Sequence, residues 1–255
     1  MPKKIFLMNE KSKWFYSDLR IETIAVVVLA HGLNLRPSKM DELAKFLASK
    51  KCDVLRISIS ESPDKWLTNF GDCYDTALEH SEILHRPLYF IGYSLGGLLG
   101  IHYMLRHPYQ QFTKTVLIAP ATHTKAFIRL PALLASIFPN GSLPSLNLAD
   151  YRARARTKFK DYKTLLCIQK EIQSDLKNNE LNISTLLVIN KQDELVASNK
   201  VAQFADSNPH WKTLMLTNQG SPLSKKYHHL MIDSASLGEQ EWNKLLKSLA
   251  THFDL

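Results

Sequence analysis

Long hydrophobic runs are missing from this chain of 255 residues: the longest strongly apolar stretch, Ile24 to Ala30, has only the length of a strand. A helix that crosses a bilayer needs about 18 or more apolar residues, so no transmembrane helix is expected. Lys3 and Lys4 precede only Ile5 to Met8 before Asn9, Glu10 and Lys11 interrupt, too short a run for the apolar region of a signal peptide. A cytoplasmic protein is the expectation. Cysteine is scarce as well: Cys52, Cys73 and Cys167 are odd in number, far apart and without C-x-x-C spacing, which argues against a disulfide framework and a zinc site. No metal or cofactor is expected.

What is present fits a globular chain, with 45% hydrophobic and 22% charged residues. One sign of charge dominates. The 32 Lys+Arg against 24 Asp+Glu give +8, a balance that suits an anionic membrane surface, nucleic acid or an acidic ligand. Nucleic acid is not expected, because no aromatic stacking platform or recognised module accompanies the cations.

Ile24 to Ala30 is β-branched without alternation, as in a strand buried on both faces of a parallel sheet. Before it, Ile5 to Met8 and Trp14 to Tyr16 read as an edge hairpin. After it, strands at Val54–Ile59, Leu88–Gly92 and Thr115–Ala119 alternate with helical patterns from Asp41, over Trp66–Leu84 and over Leu95–Arg106. The rhythm fails after Pro120 and resumes at Thr185–Asn190, followed by a helix near Asn199–Asp206, a strand Lys212–Thr217 and a helix Gly238–His252. The expected fold class is α/β, with a doubly wound, mostly parallel sheet. Residues 1–120 and 184–255 would form its core, and residues 121–183 an insertion. Within the insertion, Phe127–Phe138 places Phe127, Leu130, Leu134 and Ile137 on one helical face, and Asp161–Lys177 does the same for Tyr162, Leu165, Leu166, Ile172 and Leu176. The stretch Tyr151 to Lys160 carries a cation at every second position and fits a strand or a helix.

Gly92-Tyr93-Ser94-Leu95-Gly96-Gly97 lies between an expected strand and an expected helix, the context of a G-x-S-x-G nucleophile elbow. With 9 Gly and 21 Ser in the chain, chance supplies roughly 0.03 such matches. A serine hydroxyl is a poor nucleophile until a base removes its proton, so a histidine oriented by a carboxylate is required. The N–H of Leu95 would be one donor to the oxyanion of the tetrahedral intermediate, assisted by the helix dipole.

From His31-Gly-Leu-Asn through the elbow to Tyr227-His-His-Leu-Met-Ile-Asp, the sequence resembles the α/β-hydrolase superfamily. Within it the sequence resembles the monoacylglycerol lipase, lysophospholipase and carboxylesterase branch often grouped with the S33 serine aminopeptidases. The resemblance implies Asp193 as the acid, with Glu194 the neighbouring alternative, and Leu33 as the second oxyanion N–H. A family spacing of five residues between base and a following acid pairs His228 with Asp233 and favours His228 as base over His229. His31 would brace the oxyanion loop. Where many relatives carry Arg-Gly-His-Gly-x-Ser, this chain has Ser60-Glu-Ser-Pro-Asp-Lys-Trp66; the triad is untouched by that difference.

The resemblance also makes residues 121–183 a helical cap whose apolar faces line an acyl pocket. From 122 to 180 there are ten cations and five acids, so the cap carries +5 of the chain's +8. Apolar faces beside basic residues suit an ester amphiphile, of monoacylglycerol or lysophospholipid type, and contact with an anionic membrane. The same triad could serve a thioesterase, a small-peptide amidase or an acyltransferase. A catalytically silent binding protein on the same fold is the reading from another class.

Overall fold

The computed structural model describes residues 11–18, 22–176, 181–223 and 226–255. Its strands are β1 (Lys13–Phe15), β2 (Ala25–Ala30), β3 (Cys52–Arg56), β4 (Leu88–Tyr93), β5 (Lys114–Ile118), β6 (Ser142–Pro144), β7 (Arg156–Lys158), β8 (Ser184–Asn190) and β9 (Trp211–Leu216). The helices are α1 (Asp41–Ser49), α2 (Trp66–Leu84), α3 (Leu95–Arg106), α4 (Arg129–Leu134), α5 (Phe159–Asp175), α6 (Ser198–Asp206), α7 (Ser234–Leu237) and α8 (Glu239–Phe253). Seven strands form one sheet in the order β1-β3-β2-β4-β5-β8-β9, parallel except for β1, which runs antiparallel along β3 at the edge. The other arm expected of the N-terminal hairpin, Ile5 to Met8, lies outside the described residues.

Every residue of β2 is buried, because helices cover both faces of the sheet. Val26, Val28 and Ala30 pack with Trp66, Phe70 and Tyr74 of α2 and with Leu98 and Leu99 of α3. Ala25, Val27 and Leu29 face Leu43 and Leu47 of α1 and Trp242, Leu245 and Leu249 of α8 on the other side. This two-sided core fixes the ends of β2, β4 and β8, from which the loops that carry Gly32 and Leu33, Ser94, and Asp193 emerge. Among the described residues no helix is long and apolar enough to cross a membrane.

The segment 121–183 departs from expectation in three respects. Phe127–Phe138 is not one continuous helix: a single 3-10 turn, Ala126–Ile128, leads into the short α4. Its inward residues are Ile128, Pro131 and Ala132, while Phe127, Leu130 and Ile137 are 52%, 62% and 70% exposed. The face expected to look inward therefore looks outward, because Ile128 and Ala132 pack closely against Tyr162 of α5 and leave the bulkier side chains outside. The basic stretch is neither a single strand nor a helix. Only Arg156–Lys158 is extended, pairing with Ser142–Pro144, and the chain enters α5 at Phe159. Arg154 turns back to the buried Asp161 at 2.9 Å, so the alternating cations do not share one face.

Candidate functional site: a serine, histidine and aspartate chain at the carboxyl ends of the strands

Ser94 links β4 directly to α3 with φ 50° and ψ −111°, a backbone conformation that side chains other than glycine's adopt at a cost. The surroundings hold it there. Ser94 N–H donates to the Ile118 carbonyl at 2.9 Å, its own carbonyl accepts from Ala121 N–H at 3.0 Å, and Gly96 N–H donates to the His31 carbonyl at 3.0 Å. The flanking glycines are sterically required. A Cβ on Gly96 would stand 2.4 Å from the Ala30 carbonyl oxygen, and one on Gly92 2.6 Å from Gly97 Cα.

His229 Nε2 lies 3.0 Å from Ser94 Oγ, and its Nδ1 lies 2.7 Å from Asp193 Oδ2. The three residues come from β4, the loop after β8 and the loop after β9, and all are buried. Asp193 is held through its other oxygen, which accepts from Leu195 N–H at 2.8 Å and Val196 N–H at 2.7 Å. Burial alone would favour the neutral acid, but His229 and these N–H donors outweigh it and hold the Asp193 carboxyl below its usual range. Burial likewise disfavours a charged His229. The facing Asp193 carboxylate, its hydrogen bond and nearby Glu194 more than offset this and raise the imidazole above its ordinary value.

The structure does not bring His228 to Ser94. Its Nδ1 meets Asn218 Oδ1 at 2.8 Å, and the preference for His228 is corrected to His229. The five-residue spacing misled because Asp233 serves elsewhere, its side chain accepting Ser236 N–H at 2.8 Å as the N-cap of α7 and the Tyr151 hydroxyl at 3.0 Å. The two adjacent histidines lie on a bend and their rings take different partners, Asn218 for His228 and Asp193 for His229. Glu194 does not take the acid's place either. It accepts the backbone N–H of His229 at 2.9 Å and so positions the ring that Asp193 orients.

His31 braces the loop, donating from Nδ1 to the Gly32 carbonyl at 2.8 Å and accepting Ile59 N–H on Nε2 at 2.9 Å. Gly32 is required here too, since a Cβ would come within 2.8 Å of the Tyr93 ring. Among the described residues neither Leu33 nor Leu95 spends its N–H on a protein acceptor.

A family model described as serine aminopeptidase, S33, matches residues 21–176. The chain belongs to this family. No curated protein sequence matches it significantly. Among solved structures, a monoacylglycerol lipase of Paleococcus ferrophilus is 16% identical with a TM-score of 0.69, over 94% of this chain and 98% of that one. A monoglyceride lipase of Saccharomyces cerevisiae is 12% identical with a TM-score of 0.74, over 94% of this chain and 89% of that one. Est1E of Butyrivibrio proteoclasticus is 15% identical with a TM-score of 0.67, over 96% and 94%. At such identities the likeness is one of fold, and the fold is that of the α/β-hydrolases.

In this S33 chain the loop that carries Leu33 and Asn34 is sewn to the segment 121–183. Asn34 Nδ2 donates to Ser145 Oγ, the Arg154 carbonyl and Thr157 Oγ1 at 2.9 to 3.0 Å, and Asn147 Nδ2 donates to the Leu33 and Asn34 carbonyls at 2.9 and 3.0 Å. These amides escape a reading of the sequence, because an isolated asparagine in a loop has no periodic signature. A cavity of about 60 Å³ opens beside Ser94 and His229, lined chiefly by Leu33, Ile128, Tyr162, Leu165 and Leu195. At roughly 10–15 Å³ per water-sized group, it has room for about four to six such groups.

Proposed function

We propose that the chain is a serine hydrolase that cleaves carboxylic esters, with Ser94 as nucleophile, His229 as base and Asp193 as its orienting acid. The observation that carries this reading is the unbroken hydrogen-bonded chain from Asp193 through His229 to Ser94. In acylation Ser94 Oγ bonds to the ester carbonyl carbon while its proton passes to His229 Nε2; the C–O bond to the alcohol then breaks, and His229 returns that proton to the departing oxygen. Water, deprotonated by the same histidine, releases the acid and regenerates Ser94. The N–H groups of Leu33 and Leu95 stabilise the oxyanion, and the dipole at the N-terminus of α3 adds to their field.

Residues 121–183 serve in this reading as a cap, with α5 and Ile128 forming the acyl wall. The small cavity takes the first few carbons of the acyl group. Esters of lipid type are supported by the outer side of the cap, where Phe127, Leu130, Leu133, Ile137 and Phe138 are all exposed beside the exposed cations Lys125 and Arg129. An apolar strip edged by cations fits an anionic lipid surface.

The test is labelling by a fluorophosphonate together with turnover of p-nitrophenyl esters of increasing acyl length. Labelling at Ser94 and cleavage of short acyl esters are expected. A protein inert to both is a binding protein on the hydrolase fold. For the surface, Leu130→Asn and Ile137→Asn together should weaken binding to vesicles containing anionic lipid by tenfold or more, since each removes roughly 1.5–3 kcal/mol of burial. Equal vesicle binding by variant and parent would show that the strip does not meet lipid.

A further inference from the structure

A second and larger cavity, of about 860 Å³, borders the same oxyanion loop and shares Gly32 and Leu33 with the cavity at Ser94. Neither Ser94 nor His229 lines it, but Leu95 does. Its charged lining is Lys11, Arg36, Lys65 and Arg154 against Glu61 alone. Among the described residues neither Arg36 nor Lys65 is in an ion pair. Arg36 gives its Nε to the Arg152 carbonyl at 3.0 Å, which holds the guanidinium in place without neutralising it. Arg154 bonds Asp161 through Nη2, whereas its Nη1 is buried and has no acceptor among the described residues. A buried guanidinium N–H without an acceptor is costly, and charged acceptors satisfy it best.

The walls are fixed in advance. Trp66 Nε1 donates to the Ser60 carbonyl at 2.9 Å, Ser60 N–H to Asn69 Oδ1 at 3.0 Å, and Ile59 N–H to His31. The loop of residues 58–62 that lines the cavity is thus fastened to the histidine that braces the oxyanion loop.

We propose that this cavity is the leaving-group site and takes an alcohol that carries a phosphate. The inference rests on the ester-hydrolase reading and deepens it. With the carbonyl at the junction formed by Gly32 and Leu33, the small apolar cavity receives the acyl group, and the roomier cationic one receives the alcohol. The Arg36 guanidinium and the Lys65 ammonium, both without a carboxylate partner among the described residues, favour an anion in the cavity they line and draw it in from solution.

The experiment compares kcat/KM for the butyryl esters of glycerol, glycerol 3-phosphate and glycerate at low salt. The phosphate ester should exceed the neutral one by about tenfold or more, and raising the salt should shrink the ratio. Lys65→Gln, at an exposed position where misfolding is not a concern, and Arg36→Gln should each bring the ratio toward one. A higher rate on the glycerate ester than on the phosphate ester would overturn the choice of phosphate. Ratios near one for both anions, or ratios unchanged in the variants, would overturn the site. Calorimetric titration of glycerol 3-phosphate into the Ser94→Ala protein reads the site without turnover. Binding that weakens severalfold when Lys65→Gln is added supports the site even if every ester is inert, an outcome that would remove only the hydrolase reading. Absence of binding would remove the leaving-group site while leaving cleavage of neutral esters intact.

Discussion

Replacing Ser94 by Ala is expected to lower turnover of p-nitrophenyl butyrate by about 10⁴-fold or more, with the far-ultraviolet circular dichroism spectrum unchanged. The side chain of Ser94 makes one contact of consequence, with His229 Nε2 at 3.0 Å. In the proposed mechanism its removal takes away the nucleophile and leaves the binding surface and oxyanion donors in place. The fold should not suffer. The strained backbone at φ 50° is imposed by the elbow glycines and by the backbone hydrogen bonds of Ser94, its N–H to the Ile118 carbonyl and its carbonyl from Ala121 N–H, all of which an alanine keeps. Because strain and buried polarity at active sites cost stability, the variant should melt within a few degrees of the parent or slightly above it. More than about a tenth of the parent's rate in the variant would exclude Ser94 as nucleophile.

How legible this site is in the sequence depends on what kind of signal each part leaves. The elbow is legible because sterics dictate it: Gly92 and Gly96 stand where a Cβ would strike Gly97 and Ala30, so the residue types are forced by close approach. The central strands are legible because burial on both faces demands unbroken apolar runs such as Val26 to Leu29. The choice between His228 and His229 is not legible, since adjacent loop residues differ only in which way they point, and the nearby acid that favours His228 caps a helix instead. The face of α4 is hidden for a related reason. Helical periodicity locates an apolar stripe and does not say what covers it. Here the small inner residues Ile128 and Ala132 meet Tyr162, and the larger ones remain outside. The short β6–β7 pair leaves no trace because its strands have three residues each and are tied by Asn34, distant in sequence, which bonds Thr157 of β7 and the flanking Ser145 and Arg154.

His229→Ala is expected to match the Ser94 defect, at roughly 10³- to 10⁴-fold or more, whereas His228→Ala should cost less than about tenfold. A base must lie within hydrogen-bonding reach of the hydroxyl it deprotonates, and only His229 does so; His228 is engaged with Asn218. The pH profile makes the assignment sharper. His229 accepts a proton only when neutral, and the Asp193 carboxylate and Glu194 raise its pKa above the ordinary 6.5 despite burial. Activity should therefore fall on the acid side at a higher pH than an unperturbed histidine would give. Asp193→Asn removes the main influence that raises the pKa and leaves burial, which lowers it, so the acid limb should move to lower pH while kcat drops by roughly 10³- to 10⁴-fold. Asn218→Ala, which removes side-chain bonds to His228 and to the Tyr227 carbonyl but none to His229, should leave the limb where it is. Rates measured between pH 5 and 9 for these four variants decide the matter: a larger loss in His228→Ala than in His229→Ala, or an acid limb that follows Asn218, would transfer the role of base to His228.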